Sequence, residues 1–146
     1  MNPISKILII VDETPLSETI AQYGYSLASQ LHAEVALLHV ENSKEYRMDM
    51  VASNNSHETG KTFINNMLEN LSHKYSQGIA TKIFVVDGNI KESVLSTANQ
   101  WNAQLIVAGK HQHSGIGSLF KENTSENILQ ASNIPMMIIP EKSTPH

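Results

Sequence analysis

The sequence predicts a single α/β domain built on an open five-stranded parallel sheet with helices on both faces. Five short apolar runs stand out, at 6–11 (KILIIV), 34–40 (EVALLHV), 81–86 (TKIFVV), 103–109 (AQLIVAG) and 135–140 (PMMIIP). The first and fourth are apolar without alternation, as expected of strands covered on both faces. Between the runs lie stretches of helical period, so strand and helix alternate to a final strand, the pattern of parallel crossover connections. A chain of 146 residues suits one such domain, which buries roughly 68–70% of its unfolded surface.

The helices follow from spacing. In the first, Ile20, Tyr23, Leu27 and Leu31 recur at intervals of three and four, and Pro15 suits an N-terminal turn. In the second, Phe63, Met67, Leu71 and Tyr75 form a stripe with Ile64 and Leu68 beside it. A third runs from about Lys91 to Trp101 with Val94, Leu95 and Ala98 inward, and a fourth spans about Glu122 to Ala131. The segment Glu41–Ser56 (ENSKEYRMDMVASNNS) is polar and long for a connection, which predicts a mobile or functional loop.

Composition narrows the function. Ten basic against fourteen acidic side chains give a net charge of −4, so no cationic excess exists to neutralise a nucleic-acid backbone. The absence of cysteine removes disulfides, thiolate chemistry and Cys-based zinc sites. No segment approaches the ~20 apolar residues that span a bilayer, and the N-terminal MNPISKILIIVDE lacks the pattern of a signal peptide. A soluble cytoplasmic protein without nucleic-acid or membrane partners is the expectation.

In this fold class ligands bind beyond the carboxyl ends of the strands. That directs attention to VDETP after the first strand, HVEN after the second, DGN after the third and the Gly/His loop GKHQHSGIGSLF after the fourth. HETGKT at 57–62 ends like a phosphate-binding loop, but Asn55 stands where that pattern needs glycine and no strand precedes it, so Gly60 is read as part of an exposed helix. Gly115 and Gly117 begin a G-x-G-x-x-G, but Phe120 replaces the third glycine. His111 and His113, even with His39, fall short of the fixed ligand set of a metal site, and no metal is expected. Asp12 ends a strand at the crevice, where it suits either a ribose hydroxyl or the cap of the helix that begins near Pro15. No nucleophile sits beside a base, and no catalytic residue is assigned.

Taken in order, VD after the first strand, LLHV ending the second, LIVAG ending the fourth and ENILQASNIPMMIIP closing the domain resemble the universal stress protein family over nearly the whole chain. That resemblance implies a sheet in the order 3-2-1-4-5, with the reversal between strands one and four. It also implies a test. Members that bind ATP carry G-x2-G-x9-G-[ST] after the fourth strand, and here Gly109 is followed by Gln112 in place of the second glycine and by Glu122 and Asn123 in place of the Gly-Ser pair. A carboxylate at 122 opposes a triphosphate. GKHQ is closer to the universal stress protein A branch, which lacks the full motif. By the same resemblance Asp12 and Val40 would meet ribose and adenine, while Lys110, Gly115, Asn123 and Thr124 leave charge, space and donors for a shifted phosphate loop.

Two readings follow. One is a non-enzymatic stress-response module that acts by dimerisation and partner contact, with weak or no ATP binding; the resemblance implies that Met136, Met137, Ile138 and Ile139 form an edge strand pairing with a second subunit, and loop 41–56 is the candidate for partner specificity. The other is an ATP- or AMP-binding switch or slow ATPase that uses a rearranged loop after the fourth strand.

Overall fold

The computed structural model describes residues 3–41, 56–110 and 123–141, with 56–61 given by their backbone alone. Its elements alternate as β1 (Lys6–Ile10), α1 (Leu16–Leu31), β2 (Glu34–Glu41), α2 (Ser56–Tyr75), β3 (Thr81–Asp87), α3 (Ile90–Trp101), β4 (Leu105–Lys110), α4 (Thr124–Ala131) and β5 (Met136–Pro140). All four ladders are parallel, and the strand order is β3-β2-β1-β4-β5, as the family resemblance implied. The residues between β2 and α2, which hold most of the expected functional loop, lie outside the described residues. No described helix is long and apolar enough to cross a membrane.

Strand alternation divides the core into two layers. Ile7, Ile9 and Val11 point to the face covered by α1 and α2, together with Val35, Leu37 and Val107. Leu8 and Ile10 point to the other, where Val94, Ala98 and Trp101 of α3 and Ile128 of α4 close over Ala36, Leu38 and Ile106. Each fully buried Ile or Leu contributes about 1.5–3 kcal/mol, so the central strands, wet on neither face, anchor the domain.

Two helical stripes differ from those read in the sequence. On α1 the buried residues are Leu16, Ser17, Ile20, Ala21, Gly24, Tyr25 and Ala28, whereas Tyr23 and Leu27 are half-buried and Leu31 is exposed. The reason is steric. A Cβ on Gly24 would collide with the Ile9 side chain, so this point of the helix face is closed to larger residues, and Tyr23 and Leu27 pack against the core from beside it. On α2 the inward residues are Ile64, Leu68 and Leu71, with Met67 and Tyr75 half-buried, while Phe63 is 61% exposed. HETGKT begins within α2, in helical backbone, so the segment forms no phosphate loop and Gly60 is helical as expected.

Helix ends are set locally. Asn89 caps α3, its side chain accepting the Glu92 N–H at 3.1 Å, a bond worth ~1 kcal/mol. His32 and Asn102 end α1 and α3 in the left-handed conformation, at φ 56° and 64°. Tyr25 ties α1 to the start of β3 through its hydroxyl, 2.8 Å from Thr81 Oγ1.

Candidate functional site

The order reversal places a crevice at the carboxyl ends of β1 and β4. The ladders end at Ile10↔Leu38 and Ile9↔Val107. Asp12 follows the end of β1, Val40 lies near the end of β2 and Lys110 ends β4. Neighbouring strands lie about 4.8 Å apart, so three residues singled out in the sequence share one end of the sheet.

Asp12 is 2% exposed and organises the turn into α1. Its Oδ1 accepts the Thr14 N–H at 2.9 Å, the Thr14 hydroxyl, and the Ser17 hydroxyl at 3.1 Å. Ser17 Oγ also accepts the Asp12 N–H at 2.7 Å and lies 2.8 Å from the Asp12 carbonyl. The helix cap expected of this carboxylate is not formed: the N-cap of α1 is Pro15, with no side-chain capping bond. Asp12 instead closes an Asx-type turn one step earlier, bonding the backbone two residues on. This leaves the carboxylate fixed in direction at the strand end.

Val40 is buried among the residues that pack beneath α3 and α4. His39 beside it is also buried, with Nδ1 3.1 Å from the Val11 carbonyl; since a carbonyl only accepts, Nδ1 carries the proton. Among the described residues no group of three or more His, Asp or Glu side chains is placed to hold a metal.

On β4, Gly109 has a packing role. A Cβ there would lie 2.6 Å from Ile20 Cδ1 and 2.8 Å from Leu16 Cδ2, so the glycine lets α1 settle over the sheet. Its carbonyl accepts the Ser125 hydroxyl at 2.6 Å, a buried bond that pins the first turn of α4 to the end of β4. Lys110 extends past the strand end and meets Glu126 at 3.3 Å, both partly exposed. Asn123 is the N-cap of α4 in a left-handed conformation, φ 76°, without a side-chain capping bond. Thr124 starts the helix, so the fourth helix begins later than the Glu122 read from the sequence. Gln112 and Gly115, with His111, His113, Gly117, Ser118 and Glu122, lie outside the described residues.

The structure thus brings Asp12, Val40, Gly109 and Lys110 to one sheet end and sets Asn123 and Thr124 at the helix docked there. Sequence reasoning took Thr14 only as part of VDETP and missed Ser17, Ser125 and Glu126, which help hold these residues in place.

The sequence profile of the Universal stress protein family matches residues 3–140. The chain belongs to the universal stress protein family. Universal stress protein C of Escherichia coli K12 is 19% identical over 142 residues, covering 93% of this chain and 95% of its own. Among solved structures, that of MJ0577, a universal stress protein of Methanocaldococcus jannaschii, superposes with a TM-score of 0.80 at 22% identity, covering 98% of this chain and all of its own. A universal stress protein in complex with cAMP superposes at 0.69, with 16% identity over 95% of this chain and 98% of its own. At these identities the likeness is one of fold.

Proposed function

We propose that this universal stress protein is a non-enzymatic cytoplasmic module that works as a homodimer and through a protein partner, with weak or no ATP binding. The observation that carries this reading is β5. It is the edge of the sheet, its five residues MMIIP carry no charge, and Met136, Met137 and Ile138 are only half-buried. The opposite edge, β3, carries exposed Lys82 and Asp87, the usual protection of a strand that stays unpaired. An uncharged apolar edge calls for a cover, and a two-fold symmetric copy is the commonest one. Sizing with light scattering tests this: a dimer at micromolar concentration is expected, and a strict monomer overturns the reading. Partner capture that survives deletion of 42–55 would remove that loop as the source of partner specificity.

A second reading, an adenine-nucleotide switch, draws on the shared placement of Asp12, Val40 and Lys110 at the carboxyl ends of neighbouring strands and on the cAMP complex of a structural neighbour. Among the described residues the cation at this end of the sheet, Lys110, already faces Glu126, which favours a monophosphate over a triphosphate. Isothermal titration separates the readings: AMP binding with ATP markedly weaker favours the switch, and no heat with either favours the partner module. Exchanging Glu122 and Asn123 for Gly and Ser should strengthen ATP binding if that pair is what weakens it. Tight ATP binding by the natural chain, unchanged by the exchange, would refute the charge argument. Turnover of ATP by the natural chain would overturn the non-enzymatic reading.

A further inference from the structure

A concavity lies at the opposite end of the sheet from the crevice, between the C-terminal halves of α1 and α2 and the turn that leads into β3. It encloses about 330 Å³, the lower end of the range for small-molecule sites, and shares no residue with the crevice. Three serines, three glutamines, two tyrosines and Ile79 line it, and none of these described residues is charged. Two phenols in the lining are held in place. Thr81 Oγ1 donates its one proton to the Ile79 carbonyl at 3.2 Å, so across the 2.8 Å contact with Tyr25 it is the phenol that donates. Half-buried Tyr75 differs: its oxygen accepts from Gln22 Nε2 at 3.1 Å, which leaves the phenol's own proton to donate. Ser29, Gln30 and Gln77 stand exposed around the opening.

The lining sets the ligand's chemistry. Both helices turn their carboxyl ends this way, and the last carbonyls of a helix carry partial negative charge, which disfavours an anion. No lining residue is a carboxylate that could pair with a cation. Lys74, with Nζ 5.3 Å from the Tyr75 ring centroid, is engaged by Glu18 at 2.9 Å. A charged ligand would therefore give up water without gaining a counter-charge. Hydroxyls and primary amides each donate and accept, which matches the double character of a sugar hydroxyl. We propose that the hollow between the ends of α1 and α2 binds an uncharged saccharide of one or two rings, its hydroxyls bonded by the Tyr75 phenol and by the amides of Gln30 and Gln77. The site is independent of whether the sheet crevice takes a nucleotide.

The test follows amide chemical shifts of the full chain during titration with four neutral sugars: glucose, galactose, maltose and trehalose. At least one should give saturable shifts that cluster at 22–30 and 75–79, with a dissociation constant of about 1 mM. Glucose 6-phosphate and protonated glucosamine should bind roughly ten-fold more weakly than glucose, and glycerol at equal mass concentration should leave these amides unmoved. Tyr75→Phe and Gln30→Ala should each weaken the bound sugar roughly five-fold, with denaturant unfolding reporting the fold. Gln100→Ala, on α3 across the sheet, should leave binding unchanged. Absence of saturable shifts with all four sugars up to ~50 mM overturns the proposal. So does glucose 6-phosphate binding as tightly as glucose, or sugar shifts that spread over the surface as a cosolute's would or fall only at Val40, Gly109 and Lys110. Because the shift map is read on the natural chain, the proposal stays testable even if a variant misfolds.

Discussion

Substituting Ile138 by proline should break the proposed dimer while sparing the fold, and the size of the effect follows from the β4–β5 ladder. Two bonds fix which way β5 faces: Ile106 N–H to the Pro135 carbonyl and Glu141 N–H to the Lys110 carbonyl, each 3.0 Å. Alternate residues of a strand point their backbone groups to the same side, so residues 135, 137, 139 and 141 serve β4, and Met136 and Ile138 present N–H and C=O outward. Pro140 has no N–H to present. A two-fold antiparallel junction centred near Ile138 would have the two Ile138 residues exchange a pair of N–H to C=O bonds. Ile138→Pro removes both donors, at about 1 kcal/mol each, and a loss of about 2 kcal/mol weakens the dimer roughly 30-fold. The inner ladder to β4 keeps its bonds, because proline at an edge position with an outward N–H is tolerated. Analytical ultracentrifugation over a dilution series gives the dissociation constant, and denaturant unfolding of the dilute protein reports the monomer. A dissociation constant unchanged by Ile138→Pro would show that the copies do not meet along this edge.

Other expectations follow from the same structure. Gly109→Ala forces a methyl group against Ile20 and Leu16 and should lower stability by about 1–3 kcal/mol; an unchanged urea midpoint would mean that the ends of those side chains give way freely. Ser125→Ala leaves the Gly109 carbonyl without its 2.6 Å donor and should cost about 1–2 kcal/mol, measured by thermal unfolding; an unaltered melting temperature would refute the idea that this bond holds α4 in place. Tyr25 carries a phenol whose pKa is raised above 10.0 mainly by burial, against the lowering effect of the bonds to Thr81 and Ser72. The unfolded chain therefore releases this proton first, and stability should fall as pH rises from about 10 through the folded pKa. Tyr25→Phe should be less stable near pH 8 by about 1 kcal/mol through loss of the Thr81 bond, yet show a shallower alkaline decline; parallel declines for the two proteins would refute the assignment.

How much was legible varies with what the residues signal. The parallel sheet was readable because β1 and β4 are apolar on both faces, a pattern that only strands under two helix layers need. Strand order was not in the periodicity and came from the family resemblance. The α1 stripe holds for Ile20, which is buried, and for Tyr23 and Leu27, which pack against the core, but not for exposed Leu31, and it omits the buried Ala21, Gly24 and Ala28, small residues that weigh little in a hydrophobic pattern. Phe63 was assigned inward because its spacing from Met67 is helical, and spacing alone does not fix where around the helix axis the core lies. Asp12 was found from its position after a strand, but Ser17 and Ser125 form bonds that depend on how helices dock, and no local spacing announces them.

The collision that a side chain at Gly109 would meet bears on how such loops lose their chemistry. A side chain at this glycine would press on the Leu16 and Ile20 side chains of α1. The first glycine of the motif therefore answers to architecture. In this chain its presence testifies to a seated helix before it testifies to a bound nucleotide.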